Sequence, residues 1–179
     1  MDGFSEGWGF SVGDMIANAA GTALVIGQGV AWNEQRIKLK FSAHYTPFAD
    51  YRPSLLGTSG AERLLKDYNG QTYWLSLNIK SFLFKNRKFP GWLNLALGYG
   101  AEEMISGKDD PEMYCMNESW CDDLNRYRQW YLSVDVDLSK LKIKNRWIRM
   151  VFGTFGFIKL PAPALELSKH GLHLKPFYF

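Results

Sequence analysis

Asp14 and Asn18 stand four residues apart ahead of Gly21, with Asp2 and Glu6 a short way upstream. On a helix an i, i+4 pair shares one face, so a carboxylate and an amide placed there can orient a proton or hold a polar ligand between them. A plainer role for Asp14 is equally well written. Ser11-Val12-Gly13-Asp14 has the form of a capping box, with the acid at the positive end of the helix dipole. Asp2, Asp14 and Asn18 are the candidate catalytic positions, and Asp14 stands beside that structural alternative.

The other reactive residue types are sparse. Histidine occurs only as His44, His170 and His173. No G-x-S-x-G frames a serine nucleophile, and Gly98-Tyr99-Gly100 lacks the third glycine of a dinucleotide fingerprint. Cys115 and Cys121 sit in an acidic stretch with Asp109, Asp110, Glu112, Glu118, Asp122 and Asp123. Two thiols six apart without a neighbouring histidine make a poor zinc site, and the carboxylate spacing fits no EF-hand. In an oxidising compartment the pair reads as a disulfide clip; two free thiols are the alternative. No metal and no cofactor is expected.

The elements that would hold such residues follow from patterning. The 179 residues are 46% hydrophobic, 22% charged and 16% aromatic, enough apolar material to bury a core. Aromatics at that level suit membrane interfaces and binding surfaces, or a small aromatic core. The net charge of +3 is segregated: Lys and Arg dominate from Arg36 to Gly100, acids from Ala101 to Asp137, and Glu166 is the one acid thereafter. No nucleic-acid motif accompanies the basic residues, so nucleic acid is not expected as a partner. Anionic lipid or plain solvation accounts for them.

From Met15 to Asn33 there is no charge, a run of about 28 Å as helix. Small residues recur in two rows, Gly13, Ala17, Gly21 and Ala19, Ala23, Gly27, Ala31. Such rows admit a close neighbour, and the glycines are costly in a lone surface helix. The helix is therefore either membrane-spanning or buried in protein. The polar interruptions Asn18, Thr22 and Gln28 favour burial.

After Arg36 the period becomes two. Ile37, Leu39, Phe41, Ala43 and Tyr45 alternate with Lys38, Lys40, Ser42 and His44. Further alternating runs cover Tyr73–Lys80, Leu93–Gly100 and Trp130–Leu138, and one or two final strands follow from Leu165, turning at Gly171. No helical period separates the middle runs, so the sheet is antiparallel. Short helices are expected over residues 61–67 and from Arg146 to about Phe157. The fold class is α+β: a Gly/Ala-rich helix in residues 1–35, then an antiparallel β domain in 36–179, with the sheet packed on the helix or curled into a partial or small barrel.

The two arrangements bury opposite faces. In the first, which the count of about five to seven strands favours, Leu75, Leu95, Leu132 and Val134 meet Ala17, Gly21 and Ala23, while Asn78, Lys80, Asp135 and Asp137 face water. In the second, the leucines face lipid and Ser76, Asn94, Ala96, Gly98 and Ser133 line the interior. The chain's end, Phe177-Tyr178-Phe179, suits a barrel strand, although His173, Lys175 and Pro176 interrupt it.

The opening Asp2-Gly3-Phe4-Ser5-Glu6-Gly7-Trp8-Gly9-Phe10-Ser11, the stretch Asp67-Tyr68-Asn69-Gly70-Gln71-Thr72-Tyr73-Trp74 and Ile158-Lys159-Leu160-Pro161-Ala162-Pro163 resemble the long members of the YfiM-like family of periplasmic lipoproteins, a domain of unknown function. Asp14-x-x-x-Asn18-x-x-Gly21 is also similar to the last helix of VanZ-like membrane proteins. The resemblance implies the envelope of a Gram-negative bacterium, periplasm or outer membrane, and no established activity. It also implies an upstream Asp-Lys-x-x-His helix that this chain lacks, so the sequence is expected to be the C-terminal portion of a longer protein. The expected function is structural or binding, with missing N-terminal helices, membrane lipid or another envelope protein as partners. The alternative is an enzyme acting on lipid or cell-wall material, its site completed by the missing helix.

Overall fold

The charge-free run forms one helix, α1 (Val12–Trp32), with Asp14 in its first turn. Its 21 residues reach about 31 Å at 1.5 Å per residue, and it is long and apolar enough to cross a membrane. Asn33 ends it in the left-handed conformation (φ 53°), a conformation asparagine tolerates at a helix C-terminus. Gln28 fastens the exit: its Oε1 accepts from the Arg36 and Ile37 amides at 2.9 and 2.7 Å, and its Nε2 donates to the Ile37 carbonyl at 3.0 Å. Only Gln28 among the helix residues is buried. Among the described residues of its own unit nothing covers the rows of small residues. The polar interruption at 28 anchors a turn instead. Two short antiparallel strands, β1 (Phe4–Ser5) and β2 (Trp8–Gly9), precede the helix.

The computed structural model describes residues 4–5, 8–9, 12–84, 88–106 and 124–179. Asp2 and Glu6, and the Cys115–Cys121 clip with its acidic stretch, lie outside them. The chain divides into two units, Met1–Ile37 and Lys38–Phe179.

The second unit is an antiparallel meander. β3 (Ile37–Ala43), β4 (Gln71–Asn78), β5 (Leu93–Glu102), β6 (Tyr127–Val136), β7 (Ala162–Ser168) and β8 (Gly171–Tyr178) lie side by side in chain order as one open six-stranded sheet. Helix followed by antiparallel sheet is the α+β class that the patterning implies. Short helices decorate the connections: α2 (Phe48–Tyr51), α3 (Pro53–Leu56), α4 (Gly60–Lys66), α5 (Ile79–Phe82) and α6 (Arg146–Thr154). α4 and α6 fall where the sequence places them. α2, α3 and α5 are single turns of four residues, too short to show a helical period. α4 opens on a capping box in which Ser59 and Glu62 each satisfy the other's backbone amide.

The sheet is strongly curled. The Tyr178 hydroxyl on β8 lies 3.0 Å from Thr72 Oγ1 on β4, four strands away. In a flat sheet that separation is about 19 Å at 4.8 Å per strand. The free edge of β3 does not remain bare either. Phe41 donates to the Phe157 carbonyl at 2.8 Å and accepts from the Lys159 amide at 2.9 Å, a parallel bridge from the segment entering β7.

The curl buries the face that was expected to be wet. Leu95 is 37% exposed and Val134 45%, whereas Ser76, Asn78, Asn94, Ser133, Asp135 and Asp137 are buried. The expectation of a leucine face packed away with Asn78, Asp135 and Asp137 in solvent is therefore corrected. The physical reason is size and curl. Asn94, Ala96 and Gly98 on β5, opposite Asp135, Ser133 and Tyr131 on β6, are small enough to form the concave side of a tight arc. A row of leucines is not.

At β8 a bulge between Ala162 and Ala164 changes the parity of the strand. Lys175 and Tyr178 thus both reach the inner side, with Phe177 outward and 79% exposed. Pro176 sits on the edge strand, where its missing donor is tolerated. The interruption seen in the sequence is this bulge.

Candidate membrane-facing surface and polar interior

The inner face carries a polar network in three tiers. At one end, Lys40 Nζ lies 2.7 Å from Asp135 Oδ2 with both side chains fully buried. Ser76 donates to the same carboxylate oxygen at 2.6 Å, Asn94 to Ser76 at 2.8 Å, and Asn78 to Asn94 at 2.7 Å. Lys40 also donates to the Val136 carbonyl at 2.8 Å. Nearby, Lys38 pairs with the buried Asp137 at 2.7 Å.

The middle tier is aromatic. Trp74 and Tyr131 pack with Ala96 and Ala164, and Tyr178 covers them. Trp74 Nε1 donates to Ser42 at 2.8 Å, and Lys159 Nζ stands 4.5 Å over the indole. A methyl at Gly98 would come within 2.7 Å of that ring, so β5 passes Trp74 only because position 98 has no side chain. At the other end, Gln129 donates to Glu102 at 2.8 Å and to Glu166 at 3.3 Å, and Lys175 lies 3.3 Å from Glu166.

Charges so buried cost several kcal/mol each to desolvate, offset only where geometry and hydrogen bonding are good. Among the described residues seventeen buried side chains are polar or charged against seven hydrophobic. That balance is the reverse of a water-soluble core.

The outer face is the complement. Leu75, Leu77, Leu95, Leu97, Leu132, Val134, Leu165 and Leu167 form adjacent rows by strand register, continued on β8 by Leu172 and Leu174. These side chains are exposed or only partly covered. Exposed aromatics stand at both strand ends: Tyr73 and Trp130 at one, Phe82 and Trp92 at the other. Tyr99 packs edge-on to Trp130 at 5.0 Å. Between Trp92 and Tyr99 lie about 23 Å of strand at 3.3 Å per residue.

Beside the first aromatic group opens a cleft of about 330 Å³, lined by Tyr68, Tyr73, Tyr99, Met104, Arg126 and Arg128. Arg126 is committed to the Ser106 carbonyl at 2.8 Å. The Tyr68 hydroxyl is buried without a hydrogen-bond partner, and burial raises its pKa.

No family model, no curated protein and no solved structure matches the chain.

Of the positions singled out in the sequence, Asp14 and Asn18 both lie on α1 and are exposed. The Asn18 backbone carbonyl accepts from Thr22 Oγ1 at 2.9 Å. His44 follows β3 with its ring edge-on to Tyr178 at 5.5 Å, and burial lowers its pKa. His170 meets the Tyr127 ring at 5.0 Å. None of these joins Asp14 or Asn18. Among the described residues no group of three or more His, Cys, Asp or Glu is placed to hold a metal ion.

Of the residues that define the site instead, Ser76 and Asn94 were named only as interior lining of the barrel arrangement, and Lys40, Asp135 and Glu166 were not candidates from the sequence. A signal was present. In the third run every residue opposite the leucines is small or an amide, which is unusual for a face in free solvent.

Proposed function

We propose that this is a cell-envelope protein associated with the outer membrane through the convex apolar face of its sheet, with a structural or binding role. One observation carries the reading: the faces are reversed, polar and ionic residues inside and a continuous Leu/Val surface outside. Soluble monomers rarely expose contiguous apolar surface beyond a few hundred Å². In lipid the same surface is at no disadvantage, and outer-membrane sheets are built with this alternation and with aromatic residues at both interfaces.

At strand tilts of 35–45° the roughly 23 Å between aromatic ends corresponds to a depth of about 16–19 Å, short of the ~25 Å band of full barrels. This supports an open sheet seated in lipid by its outer face rather than a complete transmembrane pore. The resemblance of Asp67–Trp74 and Ile158–Pro163 to YfiM-like lipoproteins points to the same compartment.

Fractionation of cells expressing the native gene tests the proposal. The protein should sediment with membranes and stay there through carbonate extraction. Recovery in the soluble fraction, monomeric and without detergent, would overturn it.

A further inference from the structure

From Asp137 to Glu166 the chain carries no acid, yet Lys140, Lys142, Lys144, Arg146 and Arg149 fall within it. The helix in this stretch, α6, is nine residues long and begins on an Asn145 cap that accepts from the Trp147 amide at 2.8 Å. At 100° per residue, Trp147, Ile148, Val151 and Phe155 fall within an arc of about 100°, with Arg146 and Arg149 on the opposite half. A helix so divided ordinarily turns its apolar arc to the protein. Here that arc is in the open: Trp147 is 71% exposed, and Ile148, Val151 and Phe155 are exposed with it.

The apolar surface does not stop at the helix end. Phe157, Ile158 and Leu160 are exposed while Lys159 between them is buried, and backbone bonds to Phe41 fix this segment beside β3. Leu39, two residues before Phe41 on β3, is exposed as well.

We propose that α6 lies flat in the headgroup layer of an anionic phospholipid leaflet. Trp147, Ile148, Val151 and Phe155 reach the acyl boundary, and Lys142, Lys144, Arg146 and Arg149 sit at the level of the phosphates. A groove on a protein partner would take up the apolar arc alone and leave the basic half unanswered. A charged lipid interface engages both halves at once, the usual use of a short basic amphipathic helix with aromatic anchors. The inference rests on the envelope reading for the presence of a membrane. It does not need the sheet to be embedded.

The test uses the full chain with vesicles of phosphatidylcholine alone or with a quarter phosphatidylglycerol. Quenching by brominated acyl chains is read as the difference between the wild type and Trp147→Phe. Trp147 should be quenched in the anionic vesicles and far less in the neutral ones, with the difference erased by high salt. Replacing Lys142, Lys144, Arg146 and Arg149 together by Gln should lower the anionic preference by up to roughly a thousandfold, given the contribution of each basic residue near such a surface. Should that variant fold poorly, Arg146→Glu with Arg149→Glu should shift preference toward cationic vesicles.

Equal quenching in neutral and anionic vesicles would overturn the inference while leaving a membrane-seated sheet intact. Binding that depends on phosphatidylglycerol and on these four residues, by protein otherwise soluble, would sustain it and sink the seated sheet. No quenching in either lipid would overturn the inference.

Discussion

An arginine placed at the centre of the outer face should be costly, and one placed at its rim should not. Leu132 lies midway along the outer row of β6, between Arg128 and Val136, each four residues away. At 3.3 Å per residue that is about 13 Å along the strand, or about 9 Å of depth at a 45° tilt. Lipid-facing arginines in outer-membrane sheets cost about 2–4 kcal/mol at the midplane and about 0–1 near the interfaces. Leu132→Arg should therefore lose about 2 kcal/mol or more, Val134→Arg an intermediate amount, and Val136→Arg less than about 1. The chain already carries Arg128 at the opposite rim, exposed and on the same face.

In water the same three substitutions concern side chains that are already 40–45% exposed at 132 and 134, and surface changes of that kind stay within about 0.5 kcal/mol. Two environments thus predict different shapes, a peak against a flat line. The assay is reversible denaturant unfolding of the chain folded into phosphatidylcholine bilayers, followed by tryptophan emission. A flat profile, with all three variants within about 0.5 kcal/mol of the wild type, would refute the assignment of this face to lipid.

Removing Lys40 should leave Asp135 buried and unpaired, so Lys40→Met should lose about 3–5 kcal/mol, while Lys40→Met with Asp135→Leu should recover most of that; equal losses in the single and double variants would refute the pairing. Gly98→Ala drives a methyl against the Trp74 ring at 2.7 Å and should cost about 1–3 kcal/mol, read from the denaturation midpoint; an unchanged midpoint would mean β5 does not pass the indole so closely. Hydrogen bonds from Thr58, with smaller help from Lys66 and Ser59, hold the Glu62 carboxyl down at about 2. Its lowered pKa means the support it gives α4 is present above about 4.5 and lost as pH falls toward 2. The protection of the Arg63 amide, with its exchange rate taken relative to the intrinsic rate at each pH, should fall over that window in the wild type and not in Glu62→Gln.

Much of the architecture is written in the alternation. β3, β4, β5 and β6 fall on the period-two runs within a few residues at their ends, and α4 falls on the short helix expected over residues 61–67. What the alternation cannot say is which of its two faces is inside. Leu75–Leu77 and Ser76–Asn78 are equally regular, and period alone treats them alike. The choice was decided by radius: the face bearing Ala96, Gly98 and Asn94 can be concave. The site was illegible for a related reason. Lys40 and Asp135 are 95 positions apart, each in a strand where it reads as an ordinary solvated charge, and only the curl brings them together. The bulge that turns Lys175 and Tyr178 inward was visible only as an apparent fault at Pro176.

The two reversed faces express one constraint. A curled six-stranded sheet has little room on its concave side, so that side must be filled by small residues and by polar groups able to satisfy one another across it, as Ser76, Asn94 and Asp135 do. Once the concave side is spent on such residues, the hydrophobic driving force for folding in water has nowhere to act. Among the described residues Trp74, Ala96, Tyr131 and Ala164 form the buried apolar cluster of the sheet, a small one to set against the conformational entropy of a chain of this length. The leucines and valines that would supply the missing burial are all present, on the convex side, ordered in register and ended by aromatics. On the proposed reading their burial comes from a lipid phase, which covers the whole face at once. A protein partner able to do the same would have to match the convex curvature across β4 to β8.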